Sequence, residues 1–206
     1  GCRYLELYSE QEIKLCYLGL IPQVYPVNVL PFSLECDKDR RIYDVCIKTL
    51  QCSMMEHYVD TPWREQCLYA FDSRNQMLCG YYAFENGNAQ YAQAGMRLLS
   101  EDIRRDGLLP ICAPCGVNLA IPSFSLYYVI AVGEYLAHTG DAAFAQEVFQ
   151  RLISILKAFI HNRHNGLVCR FSENDQWNFY DWSQYLEGNL FGTEKKDPDL
   201  IVNCLF

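Results

Sequence analysis

The sequence is organised around one stretch, Asp60-Thr-Pro-Trp-Arg-Glu-Gln-Cys-Leu-Tyr-Ala-Phe-Asp72. It places two acids, an arginine and a tryptophan within six residues around a proline, and a third acid follows seven positions after Glu65. Pro62 disfavours the helical conformation at the residue before it, so the first four residues are predicted to form an ordered loop. The residues from Arg64 onward are good helix formers, which predicts a helix that begins there.

A helix beginning at Arg64 would place polar side chains near one face, because they lie four, seven and eleven residues apart. These residues are Glu65, Tyr69, Asp72 and Gln76. A purely structural helix would carry an apolar stripe at such positions. The alternative interpretation is an ordinary helix N-terminus, where acids in the first turn interact favourably with the helix dipole. The spacing by itself leaves both interpretations equally open.

The composition excludes several classes of function. Half of the 206 residues are apolar, which is enough for one sizeable hydrophobic core. The net charge is −8 and no basic run is present, so binding to nucleic acid or to an anionic membrane surface is not expected. No apolar stretch reaches the length of about 18 residues that a membrane-spanning helix needs.

Cysteine usage gives a second compositional signal. The eleven cysteines, an odd number, are scattered through predicted helices. This distribution is typical of reduced, buried thiols and indicates a reducing, cytoplasmic location. Cys112-Ala-Pro-Cys115 is a lone CxxC motif. A zinc site would need two further ligands and a redox pair would need a strand-to-helix setting, so a structural role is predicted.

The remaining sequence predicts a mainly helical fold. Residues 1–34 alternate loosely and then contain three prolines, which indicates short strands and an extended connector at the edge of a β-domain. Six helices follow, and Asp37, Asp141 and Asp197 are predicted to cap the first, the fifth and the sixth. The first five cover about 38–57, 64–84, 88–105, 123–138 and 142–162, and the sixth begins after Asp197.

Short turns and long loops alternate between these helices. Because short turns join helices into antiparallel hairpins, the long loops at 58–64, 107–122 and 165–196 are expected to emerge at one common end. That end of a helical toroid would gather the residues with chemistry suited to a site, which are Asp60, Arg64, Glu65, Trp177, Asp181 and Trp182. No repeat of fixed period is visible, which argues against a solenoid.

With these residues in place, the chain resembles the bacterial alpha-L-rhamnosidases, family 78 of the glycoside hydrolases, in their six-hairpin catalytic domain. The stretch from Asp60 to Asp72 is similar to the family signature Asp-Cys-Pro-x-Arg-Glu-Arg-x-Gly-Trp-x-Gly-Asp. Other segments fall in family order: Gly1-Cys-Arg-Tyr-Leu-Glu, Leu34-Glu-Cys-Asp with Thr49-Leu50, Gly107-Leu-Leu-Pro, Thr139-Gly-Asp and Tyr180-Asp-Trp182.

The resemblance implies a partial (α/α)6 six-hairpin toroid of about five to six helices, preceded by short β-strands from a truncated β-sandwich domain. It places residues 1–34 at the C-terminal edge of that β-domain together with a connector. Residues 35–206 would be the N-terminal half of the six-hairpin domain. The missing β-domains and the second half of the barrel are then expected in the same, longer chain.

The family hydrolyses terminal alpha-linked L-rhamnose with inversion, so the implied partner is a rhamnose-containing oligosaccharide or glycoside. Inversion needs a carboxylic acid that protonates the leaving oxygen and a carboxylate that activates water, about 6.5–9.5 Å apart. By position, the resemblance assigns Glu65 as the general acid. It assigns Asp60, Arg64 and Asp72 to holding sugar hydroxyls and tuning the acid. The two aspartates would raise the pKa of Glu65, and Arg64 would lower it.

Three residues near the second long loop complete the predicted substrate site, Trp177, Asp181 and Trp182. Either tryptophan is suited to stack on the apolar face of a sugar, although core packing is an equally open role for each. No cofactor is expected, and no oxygen-rich loop of the EF-hand type predicts a metal. The family's catalytic base lies in the half of the barrel that is absent, so the chain alone is expected to be inactive.

Departures from the signature leave the substrate preference and the acid open. Gln66 stands where the signature has arginine, and the signature tryptophan is absent. Some family members place the acid one residue later, at the position of Gln66. Two alternatives therefore stand beside the rhamnosidase interpretation. One is a non-catalytic carbohydrate-binding or scaffold domain, and the other is a six-hairpin glycosidase for another sugar.

Overall fold

The structure is a computed structural model that describes residues 4–190 and 196–206. Within these residues the predicted mainly helical fold is confirmed. The helices are α1 (Asp37–Cys52), α2 (Ala70–Ala83), α3 (Ala89–Ser100), α4 (Pro122–Thr139), α5 (Ala142–His161) and α6 (Leu200–Leu205). The only sheet in the described part of the chain is an antiparallel pair, β1 (Arg163–His164) and β2 (Leu167–Val168). None of the helices in these two ranges combines the length and the apolar character needed to cross a bilayer.

Helix α4 is the centre of the fold. It packs against α2, α3, α5 and α6, and its buried residues come from all sides of the helix, as expected for a core helix. The helix starts at Pro122, where proline is tolerated because the first turn has unpaired N–H groups in any case. It ends at Thr139, and the following Gly140, whose φ is 70°, forms a left-handed C-terminal cap.

The two predicted short turns join helices as antiparallel neighbours. Between α2 and α3, the segment Glu85–Asn88 forms a single 3-10 turn in which Asn86, Gly87 and Asn88 all have left-handed backbone angles. Between α4 and α5, the Asp141 side chain accepts a hydrogen bond from the Phe144 N–H at 3.1 Å. The predicted cap of α5 is therefore confirmed, and both turns are built from residue types that tolerate these conformations.

The other two predicted helix caps are wrong. Helix α1 begins at Asp37 itself, and Cys36 takes the cap position without a side-chain hydrogen bond. Helix α6 is capped by Asp199, which accepts from the Val202 N–H at 3.0 Å. The carbonyl of Asp197 instead accepts from the Arg170 N–H at 2.9 Å. Tertiary pairing of the chain before α6 therefore decides which aspartate becomes the cap.

The short strands predicted before residue 35 are wrong for the described part of that segment, since residues 4–34 contain no strand and residues 4–22 are exposed. A strand needs a paired neighbour for its backbone groups, and residues 4–22 form no backbone hydrogen bond with another described segment. From there the chain follows the helices, and the N–H groups of Tyr25 and Leu30 donate to Met54 and Ala83, each at 2.8 Å. The assignment of residues 1–34 to a β-domain edge stays a prediction, and residues 1–3 lie outside the described residues.

Gly107 fixes how closely the long loop after α3 approaches α5. Its φ is +86°, and a Cβ atom there would lie 2.8 Å from the carbonyl oxygen of Ser154. We expect Gly107→Ala to lower the free energy of unfolding by about 1–3 kcal/mol, measured by urea denaturation. Gly133→Ala is the control, because a Cβ atom there meets nothing within 4 Å, and it should stabilise α4 slightly. Equal effects of the two substitutions would contradict the close approach.

Candidate active site

The stretch from Asp60 to Tyr69 is a loop, so the helix predicted from Arg64 is wrong and α2 begins only at Ala70. Gln66 interrupts the helical conformation with a left-handed φ of 53°. Leu68 then forms an isolated antiparallel bridge in which its carbonyl accepts from the Ala113 N–H at 3.1 Å. Glu65 therefore does not share a helical face with Asp72 and Gln76. The loop predicted for residues 60–63 is confirmed.

Asp60 closes this loop, which we call the acid loop (residues 60–69). Its Oδ1 accepts from the Cys67 N–H at 2.8 Å, and its own N–H donates to the Cys67 carbonyl at 3.0 Å. Within the closed turn, the Arg64 N–H donates to Thr61 Oγ1 at 3.3 Å. These bonds hold the tip of the loop, which carries Glu65, in a defined position.

A cavity of about 190 Å³ opens beside the acid loop. Its lining combines four carboxyl groups with a set of aromatic rings, a combination suited to a ligand with hydroxyl groups and an apolar face. The acids are Asp60, Glu65, Asp72 and Asp181, and the other lining residues are Tyr69, Phe71, Ile111, Ile121, Phe124, Trp177, Phe179, Tyr180 and Trp182.

Six of the seven residues that the sequence indicated as a site meet in this cavity. The seventh, Arg64, does not line it, and its side chain is 76% exposed and forms an ion pair with Glu65. The sequence did not indicate three aromatic residues of the lining, Phe71, Phe124 and Phe179. Phe71 directly precedes Asp72 and Phe179 lies between the two tryptophans, so proximity to the motif residues was the available signal for both. Phe124 comes from the first turn of α4 and carried no such signal.

The carboxyl groups of Asp60 and Glu65 share a hydrogen bond that separates their pKa values. Glu65 donates to Asp60, which raises the pKa of Glu65, and Arg64 only partly opposes this. For Asp60, partial burial opposes ionisation, but the hydrogen bonds from Glu65 and from the Cys67 N–H hold its pKa below the ordinary value. The pair therefore retains one proton on the exposed partner at a pH where an isolated carboxyl would lose it.

Asp72 lies at the first turn of α2, deeper in the same cavity. Burial raises its pKa to about 6, and the charges of Asp60 and Glu65 add to this effect. Such a shift of a half-buried carboxyl in a cavity is typical of functional sites.

The two tryptophans have different environments. Trp177 is partly buried, and its Nε1 donates to the Glu187 carbonyl at 2.6 Å. Trp182 is 73% exposed, and its ring lies edge-on to Phe179 with 4.9 Å between the ring centroids. Trp177 is therefore fixed as part of the wall, while Trp182 presents an open aromatic face at the mouth of the cavity.

Comparison with known families accounts for this arrangement. Residues 32–206 match the bacterial alpha-L-rhamnosidase 6 hairpin glycosidase domain. The chain belongs to this family. The six-hairpin domain is thus the setting of the cavity.

Two solved structures are similar to this six-hairpin domain. One is the GH78 family rhamnosidase of Bacillus sp. GL1, at 26% identity and a TM-score of 0.69, with 77% of this chain and 16% of that chain covered. The other is a rhamnosidase from Klebsiella oxytoca with rhamnose bound, at 24% identity and a TM-score of 0.66, with 77% and 31% covered. At 24% identity, the similarity to the second structure shows the fold alone. The chain thus spans less than a third of either relative, and a comparison with curated proteins gives no match.

The six-hairpin domain contains no cluster of three or more metal-ligating side chains among residues 4–190 and 196–206. The contacts of Asp60 and Glu65 are hydrogen bonds and an ion pair with Arg64. These two acids of the cavity therefore have the surroundings of hydrogen-bonding and proton-carrying groups.

Asp72 should make the stability of the six-hairpin domain depend on pH. Because its folded pKa of about 6 exceeds the unfolded value, the neutral, half-buried carboxyl contributes fully to stability below the unfolded pKa. That contribution is lost as the pH rises through 6. We expect the free energy of unfolding to fall by up to about 2 kcal/mol over this range and Asp72→Asn to remove the decline.

Urea denaturation at pH values from about 4 to 7 measures this dependence. Asp44→Asn, at an exposed carboxyl on α1, is the matched control and should leave the profile unchanged. A decline that persists in Asp72→Asn would show that another group causes it.

Proposed function

We propose that this domain is the part of an inverting glycoside hydrolase that binds a terminal alpha-L-rhamnosyl residue, with Glu65 as the general acid. The observation that carries the proposal is the position of the Glu65 carboxyl. It lines an acidic and aromatic cavity and donates a hydrogen bond to Asp60, so it holds a proton at the edge of the ligand space. A general acid needs both an available proton and access to the leaving oxygen.

A single sugar ring fits the cavity best. Pockets for drug-sized ligands measure about 300–1,000 Å³, whereas this one measures about 190 Å³. The aromatic wall ends in the open face of Trp182, against which the apolar face of a sugar can pack. Both similar structures are rhamnosidases, and one has rhamnose bound. A terminal rhamnosyl unit of an oligosaccharide or glycoside is therefore the proposed ligand.

The neighbours of Glu65 suit the two states that a general acid passes through. Before proton transfer, the carboxylate of Asp60 accepts the hydrogen bond of protonated Glu65 and keeps the proton in place. The proton then moves to the leaving oxygen as the glycosidic bond breaks. Glu65 is left as a carboxylate, and its ion pair with Arg64 stabilises that state.

Asp60 is not suited to be the catalytic base. Inverting enzymes keep about 6.5–9.5 Å between the acid and the base so that a water molecule fits between them. Asp60 is hydrogen-bonded directly to Glu65, which leaves no space for that water. Because the family resemblance places the base in the second half of the barrel, we propose that the base comes from outside these 206 residues, in keeping with the greater length of both similar structures.

Substitution of Glu65 tests the proposed role. We expect the full-length protein to release L-rhamnose from an aryl alpha-L-rhamnoside, and the 206-residue chain alone to release none. In the full-length protein, Glu65→Gln should lower kcat by about 10²-fold or more with little change in binding, because the amide cannot donate the proton. Initial rates measured by release of the aryl group provide the readout.

Glu173→Gln is the matched control for charge removal, because Glu173 is exposed and does not line the cavity. An unchanged rate in Glu65→Gln would remove Glu65 from the mechanism. Binding of rhamnose without any hydrolysis by the full-length protein would favour the non-catalytic carbohydrate-binding alternative. Release of a different sugar would favour a six-hairpin glycosidase for that other sugar.

The two tryptophans should respond differently to truncation. Trp182→Ala should weaken rhamnose binding by up to about tenfold through loss of the open aromatic face. Its stability should barely change, because the ring is mostly exposed. Trp177→Ala should lower the free energy of unfolding by about 2–3 kcal/mol, because its ring is packed and hydrogen-bonded. Titration calorimetry with rhamnose and urea denaturation give the two readouts, and equal losses for both variants would contradict the distinction.

A further inference from the structure

Three cysteine thiols meet behind the acid loop. The antiparallel bridge between Leu68 and Ala113 brings Cys67 of the acid loop next to the Cys112-Ala-Pro-Cys115 motif. Burial and the nearby thiols of Cys115 and Cys67 raise the pKa of the Cys112 thiol, which places the three side chains close together. Cys112 is buried, while Cys67 and Cys115 are partly exposed. The sequence showed only a lone CxxC motif, so the third thiol is a finding of the tertiary structure.

The thiol cluster is linked directly to the residues of the cavity. The Cys67 N–H holds Asp60, and the Cys67 thiol donates to the Glu65 carbonyl at 3.4 Å. On the opposite side, the Ala113 N–H donates to the Leu68 carbonyl. The CxxC turn therefore supports the base of the loop that carries Glu65.

Metal binding does not explain the cluster, because its three cysteines are not grouped so that they could hold a metal ion, and no such group occurs in the described ranges. Ordinary core packing does not explain it either, because two of the three cysteines are partly exposed. The Cys115 sulfur is held in place by the Val117 N–H at 3.3 Å. Two cysteines separated by two residues in one short loop segment, one buried and one partly exposed, are instead an arrangement in which thiol–disulfide exchange occurs.

We propose that Cys112 and Cys115 form a reversible disulfide site that stiffens the support of the acid loop when oxidised. The oxidant is a small-molecule disulfide of the glutathione class. The Cys115 thiolate attacks one sulfur of the oxidant, forming a mixed disulfide and releasing one glutathione thiolate. Cys112 then gives its proton to the released glutathione thiolate, and its sulfur attacks the Cys115 sulfur and releases the second glutathione as a thiolate. Two protein thiols lose two electrons and two protons, and one glutathione disulfide becomes two glutathione molecules.

The burial difference sets the order of these steps. Burial, followed by the contact with Cys115, raises the pKa of Cys112, so this thiol stays protonated and does not react first. Closing the ring between the two sulfurs removes conformational freedom from the turn that contains Ala113. The hydrogen bond from Ala113 to Leu68 should therefore open less often in the oxidised form.

The test equilibrates the full-length protein with glutathione and glutathione disulfide, traps the thiols and maps disulfides by peptide mass spectrometry. The expected product is a Cys112–Cys115 disulfide that forms as the oxidised fraction of the buffer rises and is lost again on reduction. Hydrogen exchange of the peptide spanning residues 111–119 should slow by about three- to tenfold on oxidation. These readouts do not depend on sugar binding, so they stand apart from the proposed hydrolase activity.

Three variants make the assignment specific. Cys115→Ser should abolish the disulfide, whereas Cys67→Ser and Cys79→Ser should leave it intact, since Cys79 is an exposed cysteine on α2 away from the cluster. A Cys67–Cys112 disulfide in the unmodified chain would overturn the choice of pair. The proposed disulfide site would be overturned if oxidising conditions gave mixed glutathione adducts without an intramolecular disulfide. Unchanged hydrogen exchange after oxidation would overturn the proposed stiffening.

Discussion

The carboxyl group of Asp60 is the point on which the candidate site depends. It accepts the Cys67 N–H at 2.8 Å and thereby closes the acid loop, and it also accepts a hydrogen bond from Glu65. One side chain thus sets both the shape of the loop and the protonation of its exposed acid. A hydrogen bond to an ionised acceptor is roughly twice as strong as a neutral one. The bond to the ionised Asp60 carboxylate therefore favours the state in which Glu65 keeps the proton.

The helices act as a frame that holds this loop against two others. Helix α4 packs on α2, α3, α5 and α6, and its start places Phe124 in the cavity. The Leu68–Ala113 bridge ties the acid loop to the loop after α3. A parallel bridge between Ala120 and Gln176 in turn ties that loop to the segment with the tryptophans. The cavity therefore forms where three connections meet over one core, which is how rigid scaffolds generally position functional loops.

Most helices could be predicted because their signals are local. Helix α5 shows a clear apolar period and an aspartate cap, and the turn at Asn86-Gly87 consists of residues that accept left-handed angles. The failures share a physical cause. Arg64 to Tyr69 have good helix propensity, yet the left-handed Gln66 and the pairing of Leu68 with a distant segment override it. Likewise, Asp197 has the sequence form of a cap, but pairing of its carbonyl with Arg170 transfers that role to Asp199.

The sequence alone determined the helical class, the family resemblance and the group of acids and tryptophans that line one cavity, because periodicity, turn chemistry and ordered motifs are carried by neighbouring residues. Only the tertiary structure decided the roles within that group. It distinguished the anchored Trp177 from the open Trp182, kept Arg64 out of the cavity, and brought Cys67 to the CxxC turn. These differences depend on burial and on contacts between residues far apart in the chain, which spacing along a sequence does not encode.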